Sequence, residues 1–103
     1  RGQRRAGEMN SEFVDNIDVI LNDADVTSVV ICSETNRHLE LVTRAAAAGQ
    51  HIFVEKPLAV SSEEAEQMRQ AIEKAGVVFQ IGFFMRSWPT AQFIKQEVAA
   101  GNL

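Results

Sequence analysis

Three short runs of β-branched and other apolar residues limit the possible folds of this chain more than any other feature. Segments with apolar residues at helical spacing separate the runs. The runs cover residues 26–32, 51–54 and 77–81. The segments between them are long enough for crossover helices, which join parallel strands in a right-handed sense. The first run is apolar on both sides at its end, as in a strand covered by helices on both faces. The predicted class is α/β, with three parallel strands and flanking helices.

Four segments with apolar residues at helical spacing are predicted as helices. Residues 61–64 have the S-x-x-E form of a capping box, in which the hydroxyl and the carboxylate satisfy free amides at the start of a helix. Proline favours the first turn of a helix and glycine its end. The predicted limits are residues 12–22 after a cap at Ser11, residues 35–49 from Thr35 or Asn36 to Gly49, residues 61–76, and residues 88–101 from Trp88-Pro89 to Gly101.

Size and charge narrow the possible functions. With 103 residues, 46% of them hydrophobic, the chain suits one globular domain. The formal net charge of -4 gives no broad positive surface, so we expect no nucleic-acid partner. No apolar stretch reaches the ~18 residues of a membrane span, and we expect a cytoplasmic protein without a membrane partner. The single Cys32 is expected to be buried, and one cysteine with two distant histidines predicts no metal site.

Parallel strands bring the loops that follow them to one edge of the sheet, where open α/β sheets bind ligands. Here these loops are residues 33–38, 55–58 and 82–88, which we call the rim. Polar and aromatic residues concentrate in all three loops. They are Ser33, Glu34, Thr35, Asn36 and His38 in the first loop, Glu55 and Lys56 in the second, and Phe84, Arg86 and Trp88 in the third.

The tripeptide Glu55-Lys56-Pro57 directly follows the second strand. A lysine beside a carboxylate, with Pro57 restricting the next turn, has fewer conformations than an ordinary surface lysine. Taken alone, the tripeptide fits a solvated charged turn equally well. His38 likewise fits either contact with backbone groups at a helix start or a role at a ligand. We expect His51 to be structural and Trp88 to be a packing anchor.

Residues 29–38, 45–59 and 82–86 carry an ordered set of motifs. They include Thr35-Asn36-Arg37-His38, Glu55-Lys56-Pro57 and Gly82-Phe83-Phe84-Met85-Arg86. From about residue 13 to residue 103, the chain resembles the glucose-fructose oxidoreductase, inositol dehydrogenase and rhizopine-catabolism (Gfo/Idh/MocA) family. The ordered set is far more specific than Glu55-Lys56-Pro57 alone.

The resemblance implies that residues 12–103 are the second half of a Rossmann-type NAD(P)-binding domain, a doubly wound parallel sheet. Residues 1–11 are predicted to be an irregular N-terminal segment. The first βαβ half and the C-terminal α+β substrate domain would lie outside the chain, which contains no G-x-G-x-x-G. The implied activity is hydride transfer between NAD or NADP and a sugar or cyclitol. The implied assembly is a homo-oligomer formed through the C-terminal domain.

In the family pattern, Lys56 would be the catalytic lysine near the nicotinamide and the substrate hydroxyl. Its ammonium could hydrogen-bond the oxygen that gains negative charge as the hydride moves. Glu55 would orient Lys56 or the dinucleotide, and the Lys56-Pro57 bond would be cis. Glu34 stands where the family usually has proline. The implied cofactor-binding residues are Ser33, Glu34, Thr35, Asn36, His38, Glu55, Lys56, Pro57 and Arg86.

Two other functions fit the same scaffold. One is a non-catalytic module that senses a dinucleotide or a sugar, as in sugar-pathway repressors, although a sensor needs no catalytic lysine. The other is an NAD-using glycosidase of similar fold. By itself, the chain is expected to be inactive, because the phosphate-binding loop lies outside it.

Overall fold

The computed structural model describes residues 2–103 and contains one three-stranded parallel sheet. The strands are β1 (Ser28–Ile31), β2 (His51–Val54) and β3 (Phe79–Ile81), in that order across the sheet. Ile31 lies beside Val54, and Val54 lies beside Ile81, so the three strands end at the same level. The predicted three-stranded parallel sheet is confirmed, with β1 and β3 shorter than the apolar runs that predicted them.

Helices flank the sheet at the limits set by their capping residues. Ser61 Oγ accepts a hydrogen bond from the Glu64 amide at 3.2 Å, which confirms the predicted start of the helix expected over residues 61–76. Gly76 ends that helix with a left-handed φ of 68°. The helices are α1 (Gly2–Glu8), α2 (Ile17–Leu21), α3 (His38–Ala47), α4 (Ser62–Ala75) and α5 (Pro89–Ala99), with 3₁₀ turns at Thr35–Arg37 and Phe84–Ser87.

Two predictions for the N-terminal region are wrong. Residues 2–8 form α1, where an irregular segment was expected. The helix expected over residues 12–22 is confined to α2, because Asn16 caps it by accepting a hydrogen bond from the Asp18 amide at 2.9 Å. Ser11 does not cap α2; its amide instead donates to the carbonyl of Ala6 at 2.9 Å. The cap at Asn16 therefore begins the helix at Ile17, later than the apolar spacing predicted.

The hydrophobic core lies between one face of the sheet and helices α3 and α4. Val42 of α3, Val54 of β2 and Met68 of α4 are completely buried there. In the described residues the opposite face is uncovered, and Val30 in its middle is 69% exposed. Cys32 is exposed as well, because strand alternation places it on the same side as Val30. The expectation of a buried Cys32 is therefore wrong, and among the described residues no helix covers the face that carries Val30.

The side chain of Gln50, just before β2, forms hydrogen bonds with the segment that precedes β1. Its side chain is 2% exposed, and its amide nitrogen donates to the carbonyls of Ile20 at 3.0 Å and Val26 at 3.1 Å. Its own oxygen Oε1 is buried without a partner among the described residues. The two donated bonds hold α2 beside the sheet, so the side-chain amide stabilises the entry to β1.

We expect Gln50→Leu to destabilise the protein by about 1–3 kcal/mol, because it removes both side-chain bonds and leaves the Val26 carbonyl without its donor, while the Ile20 carbonyl keeps a longer bond from the Asp23 amide at 3.4 Å. Gln67→Leu, at an exposed position of α4, is the matched control. Thermal unfolding of the complete protein measures the difference between the two variants. Equal melting temperatures would show that the Gln50 bonds contribute nothing.

Within residues 2–103, none of the helices has both the length and the apolar character needed to cross a membrane.

Candidate active site

The hydrogen-bonded ladder of the sheet continues one residue beyond β2 and β3. The Glu55 amide donates to the carbonyl of Ile31, and the Gly82 amide donates to the carbonyl of Val54, each at 2.9 Å. Glu55 and Gly82 therefore enter the rim side by side, with Lys56 directly after Glu55. This arrangement follows from the parallel register, which aligns the carboxyl ends of the strands.

Lys56 and Pro57 are exposed at the rim, and the peptide bond between them is cis, as the resemblance implied. The Lys56 amide donates to Glu55 Oε2 at 3.1 Å. The side chain of Glu55 thus turns back onto the backbone of Lys56, while the lysine side chain is open to solvent. An ammonium group in this position is accessible to a bound molecule.

His38 joins the first loop of the rim to the second. Its ring is 1% exposed, with Nδ1 3.1 Å from the carbonyl oxygen of Leu58 and Nε2 3.1 Å from that of Ser33. A neutral imidazole donates from one nitrogen only, so both contacts are hydrogen bonds only when the ring is protonated on both. His38 lies behind the rim and contacts backbone groups, which was one of its two sequence-based interpretations.

Glu55 and Gly82 join the second loop to the third. Gly82 is buried and Glu55 is half-buried, and the glutamate carboxylate lies directly over the glycine. A Cβ atom on residue 82 would be 2.9 Å from Glu55 Oε2, which is closer than such atoms approach. Only a residue without a side chain leaves room for the carboxylate there.

The remaining residues of the first loop form an open polar surface. Ser33 and Thr35 are half-buried, while Glu34 and Asn36 are exposed. Thr35 and Asn36 begin a 3₁₀ turn that leads into α3, so neither is the N-cap of α3 itself. The loop presents hydroxyl, amide and carboxylate groups beside Lys56 along the same edge of the sheet.

The third loop places Arg86 over an aromatic ring. The guanidinium carbon lies 4.4 Å from the centre of the Phe83 ring, a cation–π contact, and in the sequence Arg86 stands between Phe84 and Trp88. Those two rings contact each other edge to face at 5.4 Å, and Trp88 is half exposed. Trp88 therefore contacts a ring of its own loop and stays half exposed, so its role as a packing anchor stays a prediction.

No cluster of three or more histidine, cysteine or acidic side chains suited to a metal ion occurs among residues 2–103. His51 lies at the opposite end of the sheet, where its Nδ1 accepts a hydrogen bond from the Val78 amide at 3.1 Å. The structural role predicted for His51 is confirmed.

Sequence reasoning missed two members of the site. One is Gly82, which ended the third strand in the prediction but was given no role toward Glu55. The other is the carbonyl of Leu58, a backbone atom 20 residues from His38 that no side-chain pattern reveals. For Gly82 a signal existed, since a glycine directly after a buried strand often marks a close approach.

A parallel sheet with polar loops joined at its carboxyl edge is the arrangement in which open α/β domains, Rossmann-type domains among them, bind their ligands. Residues 1–83 match the model of an oxidoreductase family with an NAD-binding Rossmann fold, GFO_IDH_MocA. Because this match covers most of the chain, the chain belongs to that family. The predicted fold class and family are both confirmed.

Named relatives agree with the family match. The chain is 34% identical over 84 residues to scyllo-inositol 2-dehydrogenase (NAD(+)) of Bacillus subtilis, which covers 82% of this chain and 25% of that protein. An NAD binding oxidoreductase from Klebsiella pneumoniae has a similar crystal structure, with a TM-score of 0.85 and 35% identity over 97% of this chain and 27% of that one.

A levoglucosan dehydrogenase in complex with NADH and levoglucosan is also similar, with a TM-score of 0.86 and 30% identity. The match covers 97% of this chain and 27% of the dehydrogenase. The chain therefore spans about a quarter of the length of the relatives that it matches.

Proposed function

We propose that this chain is part of the cofactor domain of an oxidoreductase that uses NAD or NADP. The complete protein would transfer a hydride between the nicotinamide and an alcohol or carbonyl carbon of a sugar or cyclitol. One observation carries the proposal: Lys56 is exposed at a rim whose three loops are joined by His38 and by the contact of Glu55 with Gly82. Family membership supplies the cofactor class.

The donors at the rim fit one end of a dinucleotide. Hydroxyl and amide groups there can hydrogen-bond ribose and carboxamide groups, and Arg86 stacked on Phe83 can border an aromatic ring. The glycine-rich loop that cradles phosphates is not within the 103 residues, so the phosphates would be held elsewhere in the complete protein. The proposed cofactor-contacting residues are Ser33, Glu34, Thr35, Asn36, Glu55, Lys56, Pro57 and Arg86. His38 would contribute indirectly, because its ring holds the backbone of Ser33 and Leu58.

Lys56 carries the proposed chemistry of this chain. When bound, the nicotinamide supplies the carbon that takes or gives the hydride. The Lys56 ammonium holds the substrate oxygen and stabilises the negative charge that develops on it. Because its amide is fixed by Glu55 and the next residue is proline, the lysine backbone is held before the substrate arrives.

The partners of the complete protein are also proposals. A sugar or cyclitol as substrate is supported by the names of the inositol and levoglucosan dehydrogenases. A cytoplasmic homo-oligomer assembled through parts outside this chain is supported by the family resemblance. The net charge of -4 supports a function without nucleic acid.

The test is an absorbance assay of the complete protein with NAD or NADP and a panel of sugars and cyclitols. We expect reduction of the nicotinamide with at least one cyclic polyol. Dinucleotide binding without turnover on any substrate would favour a sensing module. Release of a leaving sugar without net cofactor reduction would favour a glycosidase. A complete protein that binds neither dinucleotide contradicts the proposal.

A further inference from the structure

We infer that Gly82 is a positioning residue: the space left by its missing side chain seats the Glu55 carboxylate, which fixes the backbone of Lys56. This inference rests on the proposed function, in which Lys56 is catalytic. Gly82 itself would touch neither substrate nor cofactor. It acts through Glu55, and the sequence motifs assign it no such role.

Three distances define the space at Gly82 that holds the Glu55 carboxylate, which we call the seat. A Cβ atom built on Gly82 lies 2.9 Å from Oε2, 3.1 Å from Cδ and 3.3 Å from Oε1 of Glu55. The whole carboxylate therefore lies in the space that a side chain at position 82 would occupy. Oε2, the atom nearest to Gly82, is also the atom that accepts the Lys56 amide hydrogen bond at 3.1 Å. A side chain at position 82 would collide with the oxygen that holds Lys56.

Backbone conformation does not explain this glycine. Gly49, Gly76 and Gly101 have left-handed φ angles of 76°, 68° and 75°, but Gly82 is not among the glycines with positive φ. An alanine at position 82 can therefore adopt the same backbone. The requirement for glycine here is a requirement for space beside Glu55.

The clash falls on the end of a long, half-buried side chain rather than on backbone atoms. The carboxylate can swing away at little cost to the fold, and the Lys56 amide then loses its acceptor. We therefore expect Gly82→Ala to preserve the melting temperature while it releases Lys56. A glycine needed for the fold alone would show the opposite result.

The experiment measures two properties of the complete protein in Gly82→Ala, Glu55→Ala and the double variant. The proteins are labelled with ¹⁵N-lysine for NMR. Relative to the wild-type protein, the Lys56 amide signal should shift in the same direction in both single variants. Turnover should fall about 10- to 100-fold in each, mainly through kcat. The double variant should be no slower than Glu55→Ala, because the seat has no function once the carboxylate is gone.

Two further variants sharpen the comparison. Gly7→Ala, at an exposed α1 position where a Cβ meets nothing within 4 Å, should leave the Lys56 signal and turnover unchanged. Glu55→Gln keeps an oxygen acceptor for the amide and should retain more turnover than Glu55→Ala.

An unmoved Lys56 signal in Gly82→Ala, or additive losses in the double variant, would overturn the inference. A wild-type protein without nicotinamide-dependent turnover would contradict the proposed function instead. In that case the Lys56 amide signal still decides whether Gly82 seats Glu55, so the two failures are distinguishable.

Discussion

Replacing Lys56 with methionine in the complete protein should lower kcat about 10²- to 10⁴-fold, the range lost with a positioned proton donor or oxyanion stabiliser. Methionine has a similar length but no charge, so the substrate oxygen would lose its partner in the transition state. Lys56 is exposed and buries no core surface, so the fold should persist. Affinity for the reduced dinucleotide, measured by its nicotinamide fluorescence, should fall far less than kcat, because seven other proposed residues also contact the cofactor.

Lys74→Met is the matched control, because Lys74 is an exposed lysine in the last turn of α4, outside the rim. Its turnover should equal that of the wild-type protein. Lys56→Arg tests geometry separately, since a planar guanidinium keeps the charge but not the compact shape of the ammonium. Turnover of Lys56→Met near the wild-type rate would show that Lys56 is not the catalytic lysine.

We expect His38→Leu to have the second-largest effect, on both stability and cofactor binding. The substitution removes both ring contacts and leaves the carbonyls of Ser33 and Leu58 without their partner, at a cost of about 1–3 kcal/mol. The first two loops of the rim are then no longer joined through the ring. Because the proposed dinucleotide contacts come from both loops, its KM should rise about tenfold, within the range expected for misplaced binding groups. Melting temperature and steady-state kinetics measure the two effects.

His51→Leu is the control for His38→Leu. His51 makes its backbone contact with Val78 at the opposite end of the sheet, so its loss should leave the KM for dinucleotide unchanged. His38→Gln should recover part of the cofactor affinity, because its amide nitrogen can donate to one of the two carbonyls. If His38→Leu and His51→Leu show the same KM, His38 does not hold the rim together.

The strands, their parallel order and the position of the rim were predictable because they depend on local patterns. Runs of β-branched residues with helical segments between them leave few arrangements, and parallel strands must end at one edge. The capping box before α4 and the glycine after it were predictable for the same reason, since both act within a few residues.

Features that depend on distant atoms were not predictable. The two contacts of His38 involve the Leu58 and Ser33 carbonyls, and no periodicity reports which backbone oxygen a buried ring will meet. Cys32 was expected inside because its run is apolar, yet burial on that face depends on what covers the sheet. The position of the Glu55 carboxylate at Gly82 depends on how β2 and β3 are aligned along their length, which only the strand register determines.

The catalytic position of Lys56 is best tested by a crystal structure of the complete protein with dinucleotide and an unreactive sugar or cyclitol analogue. We expect the nicotinamide to lie against the rim, with Lys56 Nζ about 2.7–3.2 Å from the hydroxyl oxygen at the reacting carbon. A dinucleotide bound at another edge of the sheet, or a Lys56 ammonium turned away from that oxygen, would contradict it.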